Sequence, residues 1–147
     1  MLLRLNNSIT LLFQFALLIL LGACSHPQLQ VRPDAPSDHS RLNADSVVMS
    51  DGYVLPMKTW QATDNPAVVV LALHGFNDYS NAFDAVAQTF AEDSITTYAI
   101  DQRGFGATEQ RGIWAGHDIM QSDLIATVKL LCDRHAGLPV FLLGESM

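Results

Sequence analysis

Pro139-Val140-Phe141-Leu142-Leu143-Gly144-Glu145-Ser146-Met147 carries an apolar run that passes directly into Gly-x-Ser. An apolar run of this length reads as a buried strand. Glycine and serine at its end read as a sharp strand-to-helix turn, where small residues let the backbone come close. Two earlier segments have the same character. Ala67 to Leu73 is an unbroken valine-rich run, as in strands covered on both faces, and Ile95 to Ile100 follows as another strand.

The stretches between these strands have helical spacing. Phe83, Val86, Ala87 and Phe90 predict an amphipathic helix over Asn81 to Ala91. Leu124, Val128 and Leu131 predict a second over Ile119 to His135, with Ala136-Gly137 as its stop. Upstream, Ser46 to Met49 and Tyr53 to Trp60 read as a hairpin turning at Ser50-Asp51-Gly52. Pro56 within its second arm points to a sheet edge or a bulge. The sum is an open α/β sheet, mostly parallel, with an N-terminal hairpin.

The first residues belong to targeting rather than to the fold. Arg4, the apolar run Ile9 to Leu21, and Gly22-Ala23 before Cys24 have the form of an export signal. The run is short for a membrane-spanning helix. Leu21-Gly22-Ala23-Cys24 resembles the bacterial lipoprotein signal, which implies cleavage after residue 23 and acylation of Cys24. With Ser25 next, the resemblance implies a cell-envelope protein anchored in the outer membrane of a Gram-negative cell. Residues 24–45, with Pro27, Pro33 and Pro36, read as a flexible tether, and 46–147 as the folded part.

Without residues 1–23 the chain keeps 7 Lys plus Arg against 15 Asp plus Glu, a charge of −8. That excess disfavours nucleic acid and gives no attraction to anionic lipid. Membrane contact is therefore expected through acyl chains. With Cys24 acylated, Cys132 is the only thiol left, and its place in an apolar helical run reads as buried and structural.

Three predicted strands end in unusual loops: His74-Gly75-Phe76-Asn77-Asp78, Asp101-Gln102-Arg103-Gly104-Phe105-Gly106, and Gly144-Glu145-Ser146-Met147. In open α/β sheets the crevice beyond the strands' carboxyl ends is where ligands bind. The three loops together resemble the α/β-hydrolase superfamily, in the branch of monoacylglycerol lipases, lysophospholipase-like enzymes and serine aminopeptidases. The resemblance covers Ser46 to Met147. It implies a serine hydrolase cleaving carboxylic esters, with a monoacylglycerol or lysophospholipid as substrate. Ser146 would be the nucleophile, and the backbone N–H groups of Phe76 and Met147 the oxyanion hole. His74, Gly75 and Gly144 would shape the loops, His74 as a structural hydrogen-bonder.

Several residues have plainer readings. Asp101, Arg103 and Gly106 read as structural, an Asp–Arg ion pair pinning the loop. Ile113 and Trp114 suit either an acyl-binding pocket or, for Trp114, a core anchor. His26, His39, His74, His117 and His135 all precede Ser146, whereas this fold places its acid and histidine after the nucleophile. The sequence is thus expected to be an incomplete portion of such an enzyme, inactive alone and prone to aggregate along its last strand. Two other readings stay open: an amide or peptide hydrolase of the same fold, and a non-catalytic envelope lipoprotein using the scaffold to bind. No metal spacing or dinucleotide fingerprint is present, so no cofactor is expected.

Overall fold

The computed structural model describes residues 10–15, 29–30 and 39–146. The proposed signal cleavage site, Cys24 and Met147 lie outside the described residues. Six strands form one mixed sheet: β1 (Arg41–Leu42), β2 (Ser46–Val48), β3 (Val54–Trp60), β4 (Val68–Leu73), β5 (Ile95–Ile100) and β6 (Val140–Gly144). Their spatial order is β1-β2-β3-β5-β4-β6. Neighbours are antiparallel from β1 through β5 and parallel across β5, β4 and β6. A 3-10 turn, Ser80–Phe83, leads into helix α1 (Asp84–Glu92), and helix α2 (His117–Arg134) precedes β6.

Alternation along the strands divides the core between two faces. Val69, Leu71, Tyr98 and Ile100 join Val47, Leu55, Met57 and Leu131 in one cluster, with Leu124 and Val128 of α2 packed against it. Ala72 and Ala99 point the other way, onto Phe83 at the start of α1. Gly137, at φ +91°, follows the end of α2 as the sequence suggests.

Several expectations are corrected. Pro56 lies in an interior strand, without an edge position. β3 pairs with β2 over Val54–Pro56 and with β5 over Met57–Trp60, so Pro56 stands where the pairing changes sides. Its carbonyl accepts from Asp101 N–H at 2.8 Å, and the N–H it lacks would face the same side, where β5 has just ended. Val86 is exposed, and the inward residues of α1 are Ala87 and Ala91, in line with Phe83 of the preceding turn. On α2 the innermost residues are Asp123, Thr127 and Leu131, with Leu124 and Val128 half-buried beside them. Cys132 is exposed, because it follows Leu131 by one residue and is turned away from the sheet.

The span expected as a tether contains structure. Arg41 and Leu42 pair with Val48 and Val47, and Leu29 bridges to Trp114. A two-residue strand carries no periodicity to announce it. Residues 10–15 are helical and expose Leu11, Leu12, Phe13 and Phe15. No helix among the described residues is long and apolar enough to cross a membrane.

Candidate active site

The parallel part of the sheet levels three loops. Leu73 is in register with both Ile100 and Gly144, so His74, Asp101 and Glu145 leave their strands side by side. Glu145 N–H donates to the Leu73 carbonyl at 3.0 Å, carrying the ladder one step beyond β6. Phe76 N–H then donates to the Ser146 carbonyl at 3.2 Å. A side chain on Gly75 would collide with that carbonyl, so only glycine lets the two loops approach. At Gly144 an added Cβ would meet nothing within 4 Å. Ser146 is exposed.

His74 is 1% exposed and has both ring nitrogens engaged. Gly75 carbonyl can only accept, so Nδ1 donates to it at 2.8 Å. Gln102 N–H can only donate, so Nε2 accepts from it at 3.0 Å. These partners select the neutral Nδ1–H tautomer. The Gln102 amide returns a bond to the His74 carbonyl at 2.8 Å, lacing the first loop to the second.

The second loop is held by two separate carboxylate systems. Asp101 accepts from the backbone N–H groups of Ser80 and Ala107, each at 2.8 Å. Gly106, at φ +55°, lies so near that a Cβ would overlap the Asp101 carboxylate. Asp101 therefore does not pair with Arg103, contrary to the expected ion pair. Arg103 meets Asp123 through Nε at 2.5 Å and a second N–H at 3.0 Å, meets Asp51 at 2.7 Å, and stacks 4.2 Å from the Tyr53 ring centre. Burial would lower the Arg103 pKa, but bonds to Asp123 and Asp51 outweigh it and hold it above its usual range. Burial likewise works to raise Asp51, and Arg103 with the Tyr53 N–H brings it below its ordinary value. For Asp123, burial prevails over the pull of Arg103 and pushes the carboxyl up.

Sequence patterning does not single out Asp123, although its place four residues before Thr127 and eight before Leu131 marks the inward stripe of α2. A carboxylate there calls for a buried cation. Phe105, 9% exposed, packs edge-on against His74 and Phe76, with both ring centres 5.5 Å away.

Two clefts open beside these loops. One, of about 180 Å³, is lined by Phe76, Phe105, Arg111, Ile113 and Trp114. The other, of about 400 Å³, is lined by Leu73, His74, Trp114, Met120, Leu124 and Glu145. Trp114 contributes to both and is 37% exposed, so it is a cleft wall rather than a core anchor. His135 pairs with the Tyr98 hydroxyl at 2.8 Å, and His117 lies 3.3 Å from Asp118. Among the described residues no cluster of His, Cys, Asp and Glu has a metal-holding arrangement.

A family model described as serine aminopeptidase, S33, matches residues 64–147. Human monoglyceride lipase is 28% identical over 102 residues, which are 69% of this chain and 34% of that protein. A monoacylglycerol lipase of Mycolicibacterium smegmatis is 29% identical over 98 residues, 65% of this chain and 35% of that protein. A soluble variant of Saccharomyces cerevisiae monoglyceride lipase, solved with a substrate analogue, superposes with a TM-score of 0.58 at 20% identity, covering 80% of this chain and 37% of that one. A thermostable carboxyl esterase from Bacillus coagulans gives 0.56 at 21% identity, covering 70% and 34%. The likeness to these structures carries the fold, that of the α/β-hydrolases. The chain spans about a third of the length of the curated relatives it matches.

Proposed function

This chain belongs to the serine aminopeptidase S33 family, and on that premise we propose that it carries the nucleophile portion of a carboxylic ester hydrolase. The observation that supports this most is the levelling of β4 and β6, which sets Ser146 against the Phe76 N–H. In this reading the Ser146 hydroxyl oxygen attacks the ester carbonyl carbon, and the carbonyl electron pair becomes an oxyanion. Backbone N–H groups of Phe76 and Met147 receive that charge, Phe76 exchanging the Ser146 carbonyl for it. One such donor contributes roughly 3 to 4 kcal/mol in comparable sites. Collapse of the intermediate expels the alcohol and leaves an acyl-enzyme, which water hydrolyses.

The proton of Ser146 needs a base. His74 has both nitrogens committed, which favours a loop-shaping role with Gly75. Residues 25–147 alone should therefore give no burst with p-nitrophenyl esters. The substrate proposed is a monoacylglycerol or lysophospholipid, supported by the names of the relatives and by the apolar walls of both clefts. Acylation of Cys24 would hold the domain at the outer membrane of a Gram-negative envelope.

A chimera tests the assignment. Residues 46–147 replace the matching segment of human monoglyceride lipase, whose remaining chain supplies the residues beyond the nucleophile. The chimera should hydrolyse a monoacylglycerol and lose that activity in Ser146→Ala. A chimera that melts cooperatively but is inactive, or keeps activity without Ser146, refutes the assignment. The family description itself favours a second reading, an amide or peptide hydrolase. Faster release from an aminoacyl p-nitroanilide than from an ester by the same chimera would support it.

A further inference from the structure

Leu29 and Gln30 are fixed on the rim of the smaller cleft, against Ile113 and Trp114, which are distant in sequence. Gln30 N–H donates to the Trp114 carbonyl at 3.2 Å, and its amide donates to the Ile113 carbonyl at 2.9 Å. Gln30 is 9% exposed, so this is a built seat rather than a surface contact. Gly104 makes the room, since a Cβ there would stand 2.5 Å from the Ile113 carbonyl and 3.1 Å from the Gln30 amide.

The seat leaves a cluster of apolar side chains in solvent. Leu29 is 61% exposed, Phe76 68% and Trp114 37%. Phe76 and Trp114 line the same cleft, and Leu29 bridges to Trp114, so the three share one rim. From Cys24 to Leu29 the chain reaches no further than about 18 Å, at roughly 3.3–3.6 Å per residue. An acylated Cys24 would thus hold this rim close to the bilayer surface, whatever path the intervening residues take.

We propose that Leu29 and Gln30 form a strut between the lipid anchor and the cleft, and that the rim of Leu29, Phe76 and Trp114 rests on the lipid bilayer. The proposal relies on acylation of Cys24. Tryptophan suits a membrane interface because its ring is apolar and its N–H is polar. The acyl chains supply the affinity, and the strut supplies orientation: the cleft faces the surface from which a lipid ester would enter. The chain's acidic charge is repelled by anionic lipid and salt screens that repulsion, so added salt should not weaken the contact.

The test uses the full chain expressed in a Gram-negative bacterium. The mass of its N-terminal peptide reports acylation of Cys24 independently of docking. Acylated protein is then placed in vesicles of phosphatidylethanolamine and phosphatidylglycerol bearing nitroxide labels at shallow or deep positions. Trp114 is read in Trp60→Phe, and Trp60 in Trp114→Phe. Trp60 pairs with Thr97 near the opposite end of the sheet and serves as control. The expected result is a blue shift of Trp114 with greater loss of emission to the shallow label, while Trp60 is unaffected. Gln30→Ala should lower the quenching of Trp114 without changing acylation or the Trp60 emission maximum. An acylated chain with unquenched Trp114, or quenching unchanged by Gln30→Ala, overturns the proposal. A blue shift without quenching means that a second copy covers the rim, which also overturns it. An unmodified Cys24 removes the anchor, and the proposal falls with that reading.

Discussion

Replacing Phe141 and Leu142 by lysine tests whether β6 makes the chain associate. Consecutive strand residues point to opposite faces, yet these two are 58% and 54% exposed, so the middle of β6 is partly bare on both sides. Among the described residues its strand partner is β4, which leaves its other edge unpaired. Such an edge is a template for another strand. Full burial of a side chain of this size is worth roughly 1.5–3 kcal/mol, so the exposed half of each could still contribute ~1 kcal/mol. The pair then offers ~2 kcal/mol per copy and ~4 kcal/mol where two such edges meet, or about 700-fold in association at 1.4 kcal/mol per decade. The loss of strand propensity should stay within ~1 kcal/mol. Sedimentation velocity of residues 25–147 over a concentration series, with thermal melts in parallel, provides the assay. The unsubstituted chain should form concentration-dependent species without a sharp melt, and Phe141→Lys/Leu142→Lys should need about 700-fold more protein to do so. An unsubstituted chain that stays monomeric and melts cooperatively would refute the reasoning, as would a double variant that associates at the same concentration.

In that lysine background, Asp123→Ala should destabilise by roughly 3–5 kcal/mol in urea unfolding, because it strips a buried guanidinium of its forked partner. Asp51, with 23% side-chain exposure against 9% for Asp123, should cost less when removed; the reverse order would contradict the argument from burial. Gly106→Ala should cost more than ~1 kcal/mol, since it combines a left-handed backbone with overlap on Asp101, and unfolding by denaturant measures it. Burial and then Arg134 hold the His135 pKa below its ordinary 6.5, so the unfolded chain binds the extra proton first. Stability should be full above about pH 6.5 and fall as pH drops through that value, a slope that His135→Phe should remove.

The elements that could be read in advance are those whose burial is written in adjacent residues. Val68–Leu73 and Ile95–Ile100 are continuous apolar or β-branched runs, and the first sits in the middle of the parallel ladder. The first two loops were legible because each has glycine where chains must come close, at Gly75 and at Gly106. The features that escaped depend on partners distant in sequence. Arg103 could be seen to need a carboxylate, but Asp101 is the nearer one along the chain, and only the packing of α2 brings in Asp123. Val86 and Cys132 fit an apolar pattern and still face outward, since periodicity defines a stripe and the packing of the helix chooses its centre. Leu29 and Gln30 have no local pattern at all; their place is set by carbonyls at residues 113 and 114.

The change of partners at Pro56 also orders events in time. Val54–Pro56 pair with residues six to ten positions away, whereas Met57–Trp60 pair with residues 37 to 43 positions away. Closing a local hairpin takes about 1–10 μs, and distant pairings are slower because loop entropy is lost before contacts repay it. The first half of β3 can therefore zip early and wait, its second half a free template until β5 has formed. Pro56 divides an early-folding segment from a late one within a single strand, so substitutions at Leu55 should slow folding more than substitutions at Thr59, whose effect should fall on unfolding.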